Sequence, residues 1–587
     1  MRKTSMLAAL ALASVSAQAA VDVTVNVNLD RRLVHPEIYG MNFSSAAQLN
    51  ALKVPLNRSG GNSTSRYNWQ GQEHNSANDW FYIDYGPSQT DSVDTFVTQA
   101  RAAGATPLIT IPTIGWAPIN SGETRHWGFS VAKYGAQINT EFTTSGGQNW
   151  ANADAGDGTC NAANTKINPN NGQPYCQGGK IVGNDPADTS IVVNAAFEGQ
   201  WVTHLQQTFG SGADGVHLYA LDNEPMLWNS THRDVHPLPA GFDDAWQWTL
   251  DYGTAIKNAD PAAKVTGPVT WGYCDLFGSA KDNCAIGSDR SGHSPDNQPF
   301  VAWYLKQVCA HPMVDGRRLV DFLDLHYYPQ GGQSQSNDES ASVASLRLRS
   351  VKELYDTSYV SESWIADLGD DATFHYSKPG LLPRVRQWIA DNCPGTGIAI
   401  TEYNWGGADN SWEPTISEEG VSSALAQAEV MAIFGREGVS MATRWVAPKV
   451  GTAVETAFKL FLDYDGAHSR VVGHSVRATS TAVDLVASYA VDLYGQRTMV
   501  LLFNKSTSAQ TANLHFVQHY TGAWNYYRFT GAPGGYGVGA IVPTAGGTLS
   551  AANALPAMSL PARSATLVVL PAPGDSDVIF YDGFGQN

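Results

Sequence analysis

Two apolar runs, Leu218-Tyr-Ala-Leu-Asp-Asn-Glu-Pro225 and Ile398-Ala-Ile-Thr-Glu-Tyr-Asn404, each end on a glutamate, Glu224 and Glu402. A carboxylate at the exit end of a buried strand costs desolvation free energy, which folds tolerate mainly where chemistry uses the group. Two such groups facing one cleft can break a glycosidic bond, one keeping its proton under a raised pKa and the other staying ionised. Asn223, beside Glu224, adds an amide able to hold a sugar hydroxyl. The plainer alternative for Asn223-Glu224-Pro225 is a loop-capping Asn next to a surface Glu.

The two glutamates are far apart in the chain, so only a fold can bring them together. Short β-branched and apolar runs recur at Glu37–Asn42, Val54–Arg58, Pro107–Ile111, Val216–Leu221, Lys264–Gly267, Phe322–His326, Ile398–Thr401 and Met441–Trp445. Amphipathic stretches lie between them, among them Asp91–Ala103, Asn194–Phe209, Asp243–Asn258 and Gly420–Arg436. Eight strands alternating with helices predict an α/β fold, a (β/α)8 barrel over 36–455, whose active face is built from the loops after each strand. Glu224 and Glu402 then follow strands four and seven. The Gly/Asn/Asp-rich stretch Thr144–Asp188 is expected as an elaborated loop on that rim.

Other strand-end residues join this candidate site. Arg58 after strand two could hold Glu402 ionised through a charge-assisted bond, and His326 and Tyr328 after strand six could orient Glu402 or touch the sugar. Trp116 and Trp445 could stack on glucosyl rings, although barrel core is the alternative for either. A carboxylate at the seventh strand end can reach an anomeric carbon directly, which favours Glu402 as nucleophile and Glu224 as acid and then base.

Beyond about residue 456 the helical period gives way to Thr/Val/Tyr-rich alternation, as in Thr498–Asn504 and Ala565–Leu570, which predicts a smaller all-β sandwich over 456–573. Residues 20–35, with the alternating run Val21–Asn28, are expected to add a strand to it. Residues 1–19 have the pattern of a secretory signal peptide, Arg2-Lys3, an apolar stretch and Ala17-Gln-Ala19. Residues 574–587 form a polar tail. A secreted protein and a monomer are expected.

A formal net charge of −18 makes nucleic acid an improbable partner, because phosphate binding needs clustered Lys and Arg. No stretch approaches the ~20 apolar residues of a membrane helix. Six cysteines allow about 15 pairings. Short-loop closure favours Cys160 with Cys176 and Cys274 with Cys284, leaving Cys309 with Cys393, and buried free thiols are the alternative. A zinc site from His217, His232 and His236 lacks a defined set of ligands. Asp154 and Asp157 offer oxygens of the kind a structural calcium uses, with a plain turn as the alternative. A serine hydrolase would need a Gly-x-Ser-x-Gly elbow, and a dinucleotide enzyme a Gly-x-Gly-x-x-Gly turn; neither falls where a strand would place it.

Longer words carry a resemblance. Leu221-Asp-Asn-Glu-Pro-Met-Leu-Trp228, Thr231-His232, Arg58, Gly60-Gly-Asn-Ser-Thr64, Arg66-Tyr-Asn-Trp69, Leu325-His-Tyr-Tyr-Pro329, Glu402-Tyr-Asn404 and Thr443-Arg-Trp445 together resemble glycoside hydrolase family 44 over about 36–450. The resemblance implies a retaining endo-β-1,4-glucanase acting on cellulose-type glucans and xyloglucan, with Glu224 as acid/base, Glu402 as nucleophile and no cofactor in the chemistry. It also favours calcium as a structural ion. A xylanase or mannanase on the same barrel, or a non-catalytic carbohydrate-binding protein, are the rival readings.

Overall fold

The computed structural model describes residues 19–86, 92–120, 122, 124–283, 285, 287–293, 298–313, 315–331, 336, 338–369, 376–406 and 416–574. Residues 1–18 of the signal sequence expected over 1–19, Cys284 with its expected bond to Cys274, and the tail beyond Gly574 lie outside the described residues.

Eight parallel strands close into a barrel: β1 (Gly40–Asn42), β2 (Leu56–Ser59), β3 (Thr106–Ile111), β4 (Leu218–Leu221), β5 (Lys264–Thr270), β6 (Phe322–Tyr327), β7 (Gly397–Tyr403) and β8 (Met441–Arg444). These are the eight strands expected from the sequence, in the same order. Leu56, Leu108, Leu218, Ala220, Val269, Ala399 and Met441 form a small apolar cluster contributed by β2, β3, β4, β5, β7 and β8, which fills the barrel as side-chain layers do in this architecture.

The helices between strands begin and end where local chemistry directs. Ser92 caps Val93–Ala102 by accepting from the Thr95 amide, and Asn194 caps Ala195–Phe209 by accepting from the amides of Ala196 and Phe197. Gly438, at φ 73°, ends Val421–Glu437 in the left-handed conformation that a Cβ would disfavour.

Two excursions build the rim. After β2, Tyr67–Asn68, Glu73–Asn75 and Asp84–Tyr85 form a three-stranded sheet. After β3, Trp116–Pro118 pairs antiparallel with Ser190–Val192, so the expected 144–188 insert is part of one longer excursion between these two strands. A Cys160–Cys176 disulfide staples it. A second disulfide, Cys309–Cys393, joins the ends of two outer helices, Phe300–Ala310 and Leu381–Asn392.

The β-rich region is a ten-stranded sheet folded on itself. Val21–Asn26 pairs antiparallel with Gly473–Ser480 and parallel with the first half of the long strand Gln510–Thr530, whose second half pairs with Ser564–Leu570. Val21, Val23 and Val25 point into its core while the residues between them are exposed, the period of two that the sequence displays.

Val486–Asp492 and Thr498–Asn504 are buried on both faces. One face joins the sandwich core through Ala490, Val500 and Leu502, and the other joins the barrel core through Tyr489, Leu501 and Phe503. Helix Val421–Glu437, buried almost all round, is the layer between the two. The boundary expected at 455/456 falls inside helix Ala453–Leu462, which packs in the barrel core. The sequence signal misled because that helix is mostly apolar and directly precedes the β-rich pattern. No helix among the described residues is long and apolar enough to cross a membrane.

Candidate active site

The strand register delivers the side chains. β6 and β7 pair His326 with Glu402 and Tyr327 with Tyr403, β1 and β2 pair Asn42 with Arg58, and β4 ends just before Asp222. Glu224 sits at φ 48°, with Asp222 at φ 68°, two non-glycine residues in the left-handed region at one strand exit. Such conformations cost on the order of 1–3 kcal/mol each and persist where surrounding contacts over-determine them. Here Asp222 accepts bonds from the backbone N–H groups of Asn223 and Thr113, and the Trp228 indole N–H donates to the Asn223 carbonyl at 3.2 Å.

Donor atoms of Glu224, His326 and Glu402 all lie within 4.8 Å of one another. Arg58, fully buried, donates from Nη1 to Glu402 Oε1 at 2.8 Å and to Asn42 Oδ1 at 3.0 Å, and from Nη2 to Asn223 Oδ1 at 2.9 Å. Tyr328 donates its hydroxyl to Glu402 Oε2 at 2.9 Å. Asn223 thus binds Arg58 and the Gly61 amide at 3.1 Å, and with them supports the site.

Two glycines are required. A Cβ on Gly60 would meet the Arg58 guanidinium carbon at 2.2 Å, and one on Gly61 would meet the Trp445 indole at 2.3 Å. Trp445 is half-buried against Gly61 and the edge of Phe43, beside the catalytic cluster.

The two carboxyls differ electrostatically. Burial raises Glu224 well above the usual glutamate range, and the charges of Glu402, Asp275 and Asp79 add to that, with Arg58 opposing. Burial also raises Glu402, but the Arg58 charge and the hydrogen bonds from Arg58 and Tyr328 pull it back. Glu224 is therefore the group that holds the proton and Glu402 the one that ionises first.

His326 is held neutral, far below its ordinary value, by burial and by the Arg58 charge. Its Nδ1 lies 2.8 Å from Glu224 Oε1 and its Nε2 3.1 Å from Thr401 Oγ1. The Thr401 hydroxyl donates to Asp324 Oδ1 at 2.6 Å, and Thr266 donates to Asp324 Oδ2 at 2.5 Å. With its proton committed to Asp324, Thr401 can only accept from His326, so Nε2 carries the ring hydrogen and Nδ1 presents its lone pair to a protonated Glu224.

Sequence reasoning missed Asn42, Thr401, Asp324, Asn62 and Asp79. Asp324 had a signal, an acid in the middle of the apolar strand Phe322-Leu-Asp-Leu-His326. Asn62 bonds Asp79 through Nδ2 at 3.1 and 3.2 Å, and its Oδ1 receives Asn223 Nδ2 at 3.4 Å. Asn62 and Asp79 lie 17 residues apart in the excursion after β2 and Asn223 follows β4, so no local pattern announces the contact.

Other expectations are placed elsewhere. Trp116, expected as a sugar platform or as core, is half-buried and packs against the cluster of Ile114, Trp228 and Val235. Asp154 accepts from Trp127 Nε1 at 3.0 Å, Ser130 Oγ at 2.7 Å and the Ala132 amide at 2.6 Å. Asp157 accepts from the Thr159 amide and hydroxyl and from Asn139 Nδ2. Both carboxylates face N–H and O–H donors that order the loop, a donor set that does not suit the calcium expected there.

His232 is fully buried and neutral, and His236 packs on Trp228 and Trp248. Among the described residues the converging His/Cys/Asp/Glu group is Glu224, His326 and Glu402. There the Arg58 guanidinium already occupies the cation's place.

A closed (β/α)8 barrel with two carboxyls of unlike pKa meeting at its C-terminal rim, flanked by an indole, defines the glycoside hydrolase class. The family model for glycoside hydrolase family 44 matches residues 73–331. The solved structure of CelM2, a bifunctional glucanase-xylanase from a metagenome library, is 35% identical, with a TM-score of 0.81 over 94% of this chain and 99% of that one. A Paenibacillus polymyxa xyloglucanase from family 44 is 25% identical, with a TM-score of 0.71 over 94% of this chain and 99% of its own. Endoglucanase A of Paenibacillus lautus is 27% identical over 499 residues, 81% of this chain and 62% of that protein. This chain belongs to glycoside hydrolase family 44. It spans between 33% and 62% of the length of the curated relatives it matches.

Proposed function

We propose that the protein is a retaining endo-β-1,4-glucanase of cellulose-type glucans and xyloglucan, with Glu402 as nucleophile and Glu224 as acid and then base. The observation that carries this is the 4.8 Å limit on the separation of the Glu224, His326 and Glu402 donor atoms. Retaining enzymes hold their carboxyls ~5–5.5 Å apart, whereas inverting ones need ~6.5–9.5 Å for an intervening water.

Glu402 Oε attacks the anomeric carbon while Glu224 gives its proton to the departing glycosidic oxygen, so the C–O bond breaks as a glycosyl ester forms. Water then adds to the anomeric carbon as Glu224 takes back a proton, Glu402 leaves, and the β configuration returns. No step calls for a cofactor. The substrate reading is supported by relatives that are an endoglucanase and a xyloglucanase. Export belongs to the same reading, supported by disulfides Cys160–Cys176 and Cys309–Cys393, since such bonds persist in oxidising compartments. A second reading, xylan hydrolysis, is favoured by the glucanase-xylanase relative.

NMR of the first products from carboxymethylcellulose and xyloglucan, with reducing-sugar release from xylan and mannan alongside, tests these statements. β-Anomer at the outset is expected. An initial α-anomer would reject retention, and turnover confined to xylan or mannan would reject the glucan assignment.

The Thr401 relay yields a pH prediction. Thr401→Val frees His326 to place its hydrogen on Nδ1, where it would donate to and favour ionised Glu224, so the alkaline limb of kcat/KM should fall by about one pH unit, ~1.4 kcal/mol. Thr401→Ser should restore it. An unmoved limb in an active Thr401→Val variant would show that the relay does not set the acid.

A further inference from the structure

Trp150 is 57% exposed, the largest apolar side chain so displayed among the described residues. It stands beside Trp80, ring centroids 6.4 Å apart and planes inclined by 31°. An exposed indole is usually mobile or incidental; here a buried acid fixes the neighbouring Trp80 indole and the backbone just past Trp150. Glu141, with no exposed surface, accepts at Oε1 from Trp80 Nε1 at 2.8 Å and Arg125 Nη2 at 2.6 Å, and at Oε2 from the Asn152 amide at 2.8 Å. Arg125 also reaches the Trp150 carbonyl at 3.5 Å.

Burying a carboxylate is costly unless its acceptor sites are filled, and here the donors that fill it come from the Trp80 turn, the Arg125 loop and the segment just past Trp150. The effect is to hold two indoles side by side with one of them open to water.

The Trp80 turn is linked to the catalytic cluster. Asp79, the residue before Trp80, is tied to Asn62 and through it to Asn223, and its charge acts on both Glu224 and Glu402. The Trp80 turn comes from the β2 excursion and Trp150 from the β3 excursion, both on the catalytic rim. A rigid aromatic face next to a cleft suits the apolar face of a neutral sugar ring, and a chain this acidic offers no attraction to a polyanion.

We propose that Trp80 and Trp150 form a distal sugar-binding subsite, which stacks on backbone glucosyl units beyond those flanking the cleaved bond. This rests on the glucanase reading above. It makes Trp150 a residue of polymer affinity with no part in bond cleavage.

Trp150→Ala should raise KM for xyloglucan about three- to ten-fold, leaving kcat and the kinetics on an aryl β-cellobioside unchanged, and Trp150→Phe should recover most of the loss. An unchanged polymer KM would overturn the subsite. Should Trp150→Ala fail to fold, oxidation of Trp150 by N-bromosuccinimide in the inactive Glu402→Gln protein gives a second reading: cellohexaose should protect it and cellobiose should not. Equal oxidation in the presence of either sugar would overturn the proposal. Failure of the glucanase reading is distinguishable, because the unmodified protein would then turn over neither the polymer nor the aryl cellobioside.

Discussion

Glu402→Gln is expected to lower glucan hydrolysis by on the order of 10^4-fold or more, whatever the leaving group, because no bond can form to the anomeric carbon. Glu224→Gln should behave differently. On polymer, where the departing sugar oxygen needs a proton, the loss should be roughly 10²- to 10⁴-fold. On an aryl glycoside whose phenolate leaves unaided, formation of the glycosyl ester should remain fast and its hydrolysis become slow, giving a burst of phenol. Added azide should then speed turnover, since the anion needs no base to attack the ester.

Burst kinetics and azide rescue in Glu224→Gln, with neither in Glu402→Gln, is the pattern that fits the assignment. The reverse pattern would exchange the two roles, and equal, unrescued loss in both would deny the division of labour. The physical ground is the asymmetry of the pair: Arg58 and Tyr328 both donate to Glu402, while Glu224 has a neutral imidazole and the nearby negative charges of Glu402, Asp79 and Asp275.

Arg58→Met carries the second large effect. The guanidinium is fully buried and ties Glu402, Asn223 and Asn42 together, so its removal leaves an uncompensated carboxylate in the barrel and should destabilise the fold by about 3–5 kcal/mol. The loss should depend on pH with a definite sign. Arg58 is what opposes the burial-driven rise of the Glu402 carboxyl, so the variant's folded-state pKa lies still further above the unfolded value near 4.5.

Below that unfolded value both states are protonated and the electrostatic part of the penalty vanishes. Above it the unfolded chain ionises while the folded one resists, and the penalty grows until pH passes the raised folded value. The gap in Tm between the parent protein and Arg58→Met should accordingly be wider at pH 7 than at pH 4. The acid limb of any remaining activity should also move to higher pH. A gap that is independent of pH would mean that Arg58 acts through packing and not through the charge of Glu402.

These expectations draw on different depths of information. The eight strand runs were legible because each strand of a closed, helix-covered barrel is buried on both faces and reads as a short apolar word ending in polar residues. Glu224, Glu402, Arg58, His326 and Tyr328 were legible for the same reason, since each interrupts or ends such a word at the rim. Val21–Asn26 was legible as a strand through its alternation, although its parallel pairing with Gln510–Thr530 was not.

Trp116 and Trp445 show the limit of residue type. Both follow barrel strands and both are half-buried, yet one packs on Ile114 and Trp228 while the other leans over Gly61 beside Arg58. Asp154 and Asp157 have the oxygens a cation needs, but the hydrogens of Trp127, Ser130 and Asn139 arrive from loops that no local spacing relates to them.

By itself, then, the order of amino acids determined the barrel, its register of strand ends and the identity of the two acids, because burial and periodicity act over a few neighbouring residues. Only the tertiary structure decided what sets the two acids apart electrostatically, which tautomer His326 adopts and where each indole packs. Those depend on Coulomb interactions and hydrogen bonds that act over a few ångströms of space between residues separated by up to hundreds of positions along the chain.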